Sequence, residues 1–312
     1  FGFQFEKSKG KLRVFKPFAT FLKTNRYDVV HINSGSTFFL AMACYIAKMS
    51  GVPKVIVHSH CSGNKENFKH MVIKKASAPI FTHYADEICA CSLAAAQWKF
   101  SDSLIRDKLI IVKNGIDTAK FCYDPVKRDE MRKLMHISES SYVLGHIGRF
   151  TYEKNQRFLI KLFEEYVEIE PKSVLLLIGD GEDRAKQMEY VHRHAHIKDK
   201  VIFVGNVSNV HEYLQALDVF VFPSLYEGLG ISMLEAESTG LPVLASDTIT
   251  KDIAITDHIF FLPLKKKKKE WIAYLEKIKQ DRGTRKSENQ KISEAGYDVQ
   301  NTIQTMKTLF LR

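Results

Sequence analysis

The feature that most constrains the fold is an alternation of short apolar runs, rich in β-branched residues, with amphipathic segments along most of the chain. Strands of a parallel sheet are buried on both faces and have this composition, and a crossover segment must connect each strand to the next. The sequence therefore predicts an α/β protein with parallel sheets. We expect strands at residues 28–33, 54–58, 87–91, 109–112, 143–148, 174–179, 201–204, 219–222 and 242–246.

The length of the chain favours two domains. With 312 residues it exceeds the usual size of a single hydrophobic core. Residues 155–166 have an apolar stripe at helical spacing, which predicts a helix lying on a sheet. The break should fall within residues 118–140, which contain a proline, many charges and no strand. We predict a first domain at residues 1–139, a second at 140–290, and a C-terminal helix at 291–312 that could cross back to the first.

The charge balance favours anionic partners. The chain has 46 Lys and Arg against 36 Asp and Glu, a formal net charge of +10. This balance suits phosphate-bearing ligands or anionic membrane surfaces. Nucleic acid is not an expected partner, because the basic residues are scattered rather than interleaved with aromatics on one strip. Five consecutive lysines at residues 265–269 have two interpretations, a solvated loop or a contact with an anionic leaflet.

Localisation and redox state follow from two further patterns. The longest apolar run, residues 38–47, is about half as long as a membrane crossing requires. The five cysteines form neither an even disulfide set nor paired CxxC motifs, so reduced thiols are expected. We therefore predict a cytoplasmic protein, with peripheral attachment to the inner face of the plasma membrane as an open alternative.

Two loops after predicted strands contain candidate binding residues, since open α/β sheets bind ligands beyond the carboxyl ends of their strands. In GRFTYEKN, Arg149 lies where a strand stops and Lys154 where the next helix starts. Both cations could contact a diphosphate, or both could simply be solvated. In the second loop, Gly179, Asp180 and Gly181 allow either close approach of a ligand or an ordinary tight turn.

A third loop, FPSLYEGLGISMLEA at residues 222–236, has two glutamates eight positions apart. The amides of Gly228, Leu229 and Gly230 and the positive end of the following helix would face the same space. Glu235 lies on an apolar stripe of that helix and needs hydrogen-bond donors, which ribose hydroxyls could supply. Glu227 could face the sugar end of the same ligand. The alternative is a helix-capping Glu227 and a surface Glu235.

These motifs together resemble the retaining GT-B glycosyltransferases of family 4, especially those that build bacterial capsular polysaccharides and exopolysaccharides. The resemblance also covers ADEICACS, VKNGID and LPVLASDTIT, and runs from about residue 27 to residue 259. It implies two Rossmann-like domains whose parallel sheets face each other across a cleft. It further implies transfer of a sugar from a nucleotide diphosphate sugar, most commonly a UDP-sugar, to a growing or lipid-linked saccharide with retention of configuration.

The resemblance also implies residue roles. Arg149 and Lys154 would hold the donor diphosphate and stabilise the leaving group. Glu235 would bind the ribose. Glu227 would contact the donor sugar with the neighbouring amides, and it is expected to be catalytic along with Arg149 and Lys154. The base would be received around residues 203–206, largely through backbone groups. The complete set of expected substrate contacts is Arg149, Lys154, Gly179, Asp180, Phe203, Val204, Glu227, Gly228, Leu229, Gly230 and Glu235.

Similar enzymes have a catalytic histidine at the end of a first-domain strand. His60 is preferred here over His58 because it stands after the strand run, and His31 is a weaker candidate. The His-x-His pair could instead bind a metal, but no third ligand stands at a convincing spacing. With no DxD motif and a family that needs no catalytic metal, we expect no metal or other cofactor.

One departure from the family concerns the start of the chain. Nothing before Tyr27 resembles the opening strand and Gly-rich loop of the relatives, so we expect that piece to be missing from the first domain. Two other functions remain open, and this departure bears on the second. One is a sugar-nucleotide epimerase of the same fold, and the other is a non-catalytic partner subunit.

Overall fold

The structure is a computed structural model that describes residues 13–60, 68–281 and 283–312. It divides into two compact units. Unit 1 comprises Phe1–Asn114 together with Thr302–Arg312, and unit 2 comprises Gly115–Asn301. Each unit is built around a parallel sheet, as the sequence predicts.

Unit 1 has a four-stranded parallel sheet in the order β1-β2-β3-β4. Its strands are β1 (Val29–Asn33), β2 (Lys54–Ser59), β3 (Glu87–Ala90) and β4 (Leu109–Ile111). Because consecutive strands are neighbours, right-handed crossovers carry the connecting helices along one face of the sheet. The helices are α1 (Phe15–Asn25), α2 (Thr37–Met49), α3 (Phe68–Tyr84), α4 (Leu93–Lys99) and α5 (Asp102–Lys108).

Unit 2 has a six-stranded parallel sheet in the order β10-β9-β8-β5-β6-β7. Its strands are β5 (Val143–Ile147), β6 (Val174–Ile178), β7 (Val201–Gly205), β8 (Val219–Phe222), β9 (Val243–Ser246) and β10 (Ile259–Leu262). Its helices before the C-terminal tail are α6 (Pro125–Leu134), α7 (Gln156–Tyr166), α8 (Arg184–Arg193), α9 (Ala195–Lys198), α10 (Val210–Ala216), α11 (Ile231–Ser238) and α12 (Lys268–Gln280). The strand order reverses between β5 and β8, which makes this the topological switch point.

The nine predicted strands are confirmed, each with ends within one residue of the prediction. The tenth, β10, is a four-residue apolar segment that pairs only with β9 among the described strands. The predicted helix at residues 155–166 is confirmed as α7, whose apolar stripe packs into the core of unit 2. The apolar runs were therefore sufficient to predict every strand except β10, which lies at the edge of its sheet.

Unit 2 begins earlier than the predicted boundary between residues 139 and 140. Ile116 donates its backbone N–H to the Tyr297 carbonyl (2.8 Å), which ties residues near 115 to the end of the same unit. The Asp124 carboxylate caps α6, and Arg132 of that helix reaches the buried Asp218 carboxylate (2.7 Å). Residues 115–139 are therefore part of the second unit rather than of the first.

The C-terminal tail consists of three pieces instead of one helix. These are α13 (Asn289–Ile292), a π-helical turn (Ser293–Tyr297) and α14 (Val299–Leu311). Gly296, at φ 83°, interrupts the helical backbone in a conformation that glycine adopts without strain. Within unit 1, the Thr302 hydroxyl donates to the Lys113 carbonyl (2.7 Å), and Leu309 is buried against the core.

Cys44, Cys89, Cys91 and Cys122 are free thiols, and Cys61 lies outside the described residues. Within the described part of the chain, no helix combines the length and the apolar character that a membrane crossing requires.

Candidate functional site

The loops that follow β5 and β8 meet at the switch point of unit 2. The backbone N–H of Leu225 donates to the Glu153 carbonyl (2.7 Å). The side-chain amide of Asn155 donates to the Pro223 carbonyl (3.1 Å). These bonds hold the GRFTYEKN loop and the FPSLYEGLG loop side by side, beyond the carboxyl ends of neighbouring strands. Ligands of open α/β sheets bind at this position.

Lys154 and Glu227, which the sequence assigns to different loops, form a two-bonded ion pair. The Lys154 ammonium donates to both oxygens of the Glu227 carboxylate, at 2.6 and 2.8 Å. Their side chains are 20% and 9% exposed, and the ammonium lies 5.7 Å from the centre of the Phe222 ring. Because removing either partner would leave a mostly buried charge, the pair fixes the position of both groups.

Arg149 stands at the end of β5 with its side chain exposed. Its guanidinium has no hydrogen-bond or ion-pair partner within residues 13–60, 68–281 and 283–312. The backbone beneath it is held by Gln156, whose side-chain amide donates to the Arg149 carbonyl (2.9 Å). Among the residues that the structure describes, this loop thus has one cation without a partner, Arg149, and one paired cation, Lys154.

The sequence motifs assign no role to His146 or Gln156, yet both residues support this loop. Burial lowers the pKa of His146 to about 4, so the ring is neutral. Its Nδ1 lies 2.9 Å from the Val221 carbonyl and must donate to it, which leaves Nε2 to accept from Gln156 at 3.4 Å. The sequence signal that could have identified His146 is its position as a polar residue inside the otherwise apolar strand β5.

The loop after β6 packs directly on the loop after β5 because its glycines lack side chains. A Cβ on Gly179, whose φ is 133°, would lie 2.2 Å from the Gly148 carbonyl oxygen. A Cβ on Gly181 would lie 2.4 Å from the Phe150 carbonyl oxygen. Neither distance is sterically possible, so both positions require glycine for the loops to touch.

A pocket of about 410 Å³ opens between these loops. Arg149, Gly179 and Asp180 line it, together with Asn206 and Val207 after β7. Phe203, expected near the base, packs instead against the Phe150 ring, with centroids 5.9 Å apart. The half-buried Val204 is not among the residues that line this pocket.

Helix α11 begins at the end of the third loop. Gly230 is its N-cap at φ 86°, and the buried Leu229 precedes it. Glu227 therefore does not cap the helix. Glu235, just over a turn inside, is half-buried, and burial raises the pKa of its carboxyl to about 7. No residue that the structure describes hydrogen-bonds to that carboxyl.

Glu237 is the more deeply buried glutamate of α11, and its carboxylate is held by hydrogen bonds from the protein backbone. One of its oxygens accepts from the backbone N–H groups of Ile255 and Thr256, at 3.0 and 3.1 Å. Burial raises the pKa of the Glu237 carboxyl to about 8. Its bonds tie α11 to the segment before β10, whereas Glu235 has no such tie.

The candidate histidines lie together in unit 1. His31 and His58 are 3.1 Å apart between ring nitrogens, and the rings of His58 and His60 are 3.9 Å apart between centroids. His58 is buried within β2, and burial lowers its pKa to about 3. His60 is exposed after β2, and its Nε2 lies 2.7 Å from the Asn33 amide oxygen. Of the two preferred candidates, His60 is the one open to solvent.

Comparison with protein families gives two matches that together cover most of the chain. Residues 127–299 match the family described as glycosyl transferases group 1, and residues 1–120 match glycosyltransferase family 4. The first match alone spans more than half of the 312 residues and contains every candidate residue of unit 2.

Two curated relatives are similar in sequence. EpsF of Bacillus subtilis, a protein named as a glycosyltransferase, is 32% identical over 231 residues, 73% of this chain. The UDP-Gal:alpha-D-GlcNAc-diphosphoundecaprenol alpha-1,3-galactosyltransferase of Escherichia coli is 30% identical over 241 residues, 72% of this chain. In each case the chain covers 59% of the relative's length.

A solved structure of HepE from Anabaena, in complex with UDP-glucose, has a similar fold. It superposes with a TM-score of 0.76 over 95% of this chain and 81% of HepE, at 19% sequence identity. The two parallel-sheet units described above are therefore arranged, each within itself, as in the GT-B fold.

Proposed function

We propose, from the premise that this chain belongs to the glycosyl transferases group 1 family, that it transfers a sugar from a nucleotide diphosphate sugar to a saccharide acceptor. One observation carries the proposal. Arg149, the Lys154–Glu227 pair and the start of α11 surround the switch point of unit 2. Two cations and a helix N-terminus at one location suit a diphosphate.

The proposed chemistry uses these cations as electrostatic groups. As the bond between the sugar and the diphosphate breaks, negative charge accumulates on the leaving phosphate oxygens. Arg149 and Lys154 would stabilise that charge without reorganisation, since Lys154 is already held by Glu227 and the Arg149 backbone by Gln156. The departing phosphate would then accept the proton of the acceptor hydroxyl.

Glu227 is not proposed as a nucleophile. Both of its oxygens accept hydrogen bonds from the Lys154 ammonium, which lowers their reactivity toward the sugar. Retention would therefore follow from a front-face route, unlike the two-carboxylate arrangement of retaining hydrolases. His60 is the residue of unit 1 that we propose for catalysis, because it is the exposed histidine at a strand end.

Glu235 is proposed to bind the ribose of the donor. Its carboxyl is partly desolvated and lacks a hydrogen-bond partner in the described part of the chain, and two adjacent hydroxyls would satisfy it. The pocket beside Arg149, Asp180 and Asn206 would take the base. Gly228, Leu229 and Gly230 would present backbone amides to the sugar.

The finer identity of the substrates is also a proposal. A UDP-sugar is favoured because the E. coli relative is named for UDP-Gal and HepE was solved with UDP-glucose. A lipid-linked saccharide acceptor is favoured by the diphosphoundecaprenol in the same relative's name. We propose a role in polysaccharide biosynthesis and no catalytic metal, since Arg149 and Lys154 can neutralise the diphosphate.

The experiment is a thermal-shift screen of UDP-, GDP- and ADP-sugars, followed by incubation of the stabilising donor with saccharide acceptors in the presence of EDTA. We expect stabilisation by UDP-sugars and a product whose anomeric configuration, read by NMR, matches that of the donor. Interconversion of the sugar nucleotide would identify an epimerase instead. Neither binding nor turnover would indicate a non-catalytic subunit, and inversion would contradict the front-face route.

A further inference from the structure

The connection between β9 and β10 lacks the helix that usually joins parallel strands. Such strands need a crossover of about a dozen residues or more, and an α-helix normally supplies it. Here the connection, residues 247–258, has only a 3₁₀ turn at Lys251–Ile253. We call it the β9–β10 crossover. Its residues Ile253 and Thr256 are buried, so backbone N–H groups outside the short turn need acceptors from other parts of the protein.

A carboxyl group of α11 supplies acceptors to this crossover. The Oε2 atom of Glu237 accepts from the N–H groups of Ile255 and Thr256, at 3.0 and 3.1 Å, and from the Thr256 hydroxyl at 3.3 Å. Near the start of α11, the side chain of Ile253 would lie 3.1 Å from a Cβ placed on Gly230. The crossover therefore packs along α11, and Glu237 bonds the two together.

The surroundings of the Glu237 carboxyl hold no charge that would balance it. Glu237 is 0% exposed, and its Oε1 atom is buried without a hydrogen-bond partner among the residues that the structure describes. Strands β8 and β9 contain no titratable side chain. The titratable side chains of the other elements around it are Glu235 of α11, Lys251, Asp252, Asp257 and His258 of the crossover, and Glu288, Lys291 and Tyr297 of the C-terminal tail.

The cations among these residues are at the surface. Lys251 and His258 are exposed, and the exposed Lys291 pairs with Glu288 at 3.0 Å. A buried carboxylate without a cation is much less stable than the neutral acid. Burial accordingly raises the pKa of Glu237 to about 8, although the hydrogen bonds from Thr256 and Ile255 act in the opposite direction. The carboxyl is therefore mainly protonated at neutral pH.

Protonation gives the two oxygens of Glu237 different roles. Oε2, which receives the three hydrogen bonds, is the carbonyl oxygen of the neutral acid, and Oε1 is its hydroxyl. Glutamine has nearly the same shape and offers the same acceptor oxygen, so it imitates this neutral form at every pH.

Glu237 and Glu235 lie on nearly opposite sides of α11, because two residues along an α-helix differ in direction by about 200°. Glu237 holds the side that faces the crossover. Glu235, on the other side, has no hydrogen bond from the described residues. The helix begins directly after Gly230, at the end of the loop that contains Glu227. A displacement of α11 would therefore move both Glu235 and the helix N-terminus.

We propose that Glu237 is a positioning residue of the donor site, and that its protonated form holds α11 against the β9–β10 crossover. Ionisation leaves a buried anion, which weakens the packing of α11 on the crossover and moves Glu235 away from the donor. The positioning role rests on the proposed function, since Glu235 is assigned to the ribose there. The contact between α11 and the crossover does not rest on it.

Thermal unfolding as a function of pH tests the contact without a ligand. Because the pKa of Glu237 is raised in the folded protein to about 8, from about 4.3 for an exposed glutamate, its stabilising contribution is complete below the lower value and is lost as pH rises to the higher one. We expect the Tm of Glu237→Gln to fall less than the wild-type Tm over this pH range. Glu235→Gln should keep the part of the fall that lies above about pH 7.

Calorimetric titration with UDP tests the positioning role. Wild-type affinity should fall roughly fivefold as pH rises from about 7.5 to about 9, since α11 loses hydrogen bonds to the crossover. Glu237→Gln should bind UDP like the wild type at neutral pH and should not show this fall. Glu237→Met fills a similar volume without an acceptor, so it should bind UDP weakly throughout the range.

The matched control is Glu139→Gln, which removes an exposed carboxylate from the same unit. It should keep both wild-type pH profiles. If Glu237→Met does not fold, Glu237→Gln still decides the question, because it retains the acceptor oxygen and differs from the neutral acid only in being unable to ionise.

The results distinguish the contact from the positioning role. A Glu237→Gln variant whose Tm falls with pH as in the wild type would overturn the proposal, because the carboxyl would then not be neutral in the folded protein. A variant with the expected Tm profile that still loses UDP affinity at high pH would overturn the positioning role. A wild type that binds no UDP would contradict the proposed function, whereas the Tm profiles would still support the contact between α11 and the crossover.

Discussion

Unit 1 carries a net charge of +12 (19 Lys and Arg against 7 Asp and Glu) and unit 2 a net charge of −2 (27 against 29), yet the proposed diphosphate contacts are in unit 2. In unit 1 helices α1, α2 and α3 contain six lysines and no acidic residue, and α2 and α3 expose large apolar side chains. In unit 2 the Lys154 ammonium is held at the switch point by Glu227, and the backbone that carries Arg149 is held by Gln156. Net charge therefore indicates a surface, whereas local geometry indicates a site for a small anion.

The largest expected effect concerns charges inside unit 2. Asp218 is buried and accepts from Arg128, Arg132 and the Val143 N–H. Asp218→Asn would leave two buried guanidinium groups without a carboxylate, so the free energy of unfolding should fall by about 3–5 kcal/mol. Chemical denaturation measures this.

The matched control for this prediction is Asp117→Asn, which breaks the exposed pair with Lys120 and should cost at most about 1 kcal/mol. Equal losses in the two variants would contradict the distinction between internal and surface charge.

The second prediction concerns turnover. Lys154→Ala removes a cation that the leaving diphosphate would need and leaves Glu227 without its ammonium partner. We expect kcat to fall by about 100- to 1000-fold. Lys186→Ala, on the exposed side of α8, is the control and should retain wild-type kcat. A Lys154 variant that loses only donor affinity would limit the residue to ground-state binding.

The third prediction uses the pKa of Glu235, which burial raises to about 7. A raised pKa stabilises the fold below the ordinary glutamate pKa, and that stability is lost as pH rises through about 7. The ionised carboxylate is the better acceptor for ribose, so UDP affinity should rise about tenfold over the same pH range. In Glu235→Gln, the pH dependence of stability and the pH dependence of UDP affinity should both be smaller than in the wild type, and calorimetry measures each. A variant whose affinity changes with pH as in the wild type would exclude a ribose contact.

The smallest expected effect tests a supporting residue. Gln156→Ala removes the hydrogen bond to the Arg149 carbonyl and the contact with His146. We expect donor KM to rise about fivefold with kcat less affected, since the loop loses order but keeps its cations. Gln304→Ala, exposed on α14, serves as the control. A loss confined to kcat would mean that Gln156 acts on the transition state.

The strands and the site loops were predictable because buried parallel strands have a distinctive composition and ligand loops follow them. The Lys154–Glu227 ion pair was not predictable, because no local sequence pattern indicates that two residues 73 positions apart share a hydrogen bond. The same holds for Asp218, because its partners Arg128 and Arg132 lie in the segment where the sequence predicts a break between domains. The absence of acidic residues from α1, α2 and α3 can be recognised only once the bounds of those helices are known.

The most direct test of the central claim compares the two units as sources of nucleotide affinity. Calorimetry would measure UDP binding to the wild type, to Arg149→Ala with Lys154→Ala, and to Lys69→Ala with Lys75→Ala. Both double variants remove two positive charges. We predict that the unit 2 variant loses about 100-fold or more in affinity and that the unit 1 variant keeps wild-type affinity. Equal losses, or a loss only in the unit 1 variant, would contradict the claim that local geometry in unit 2 forms the donor site.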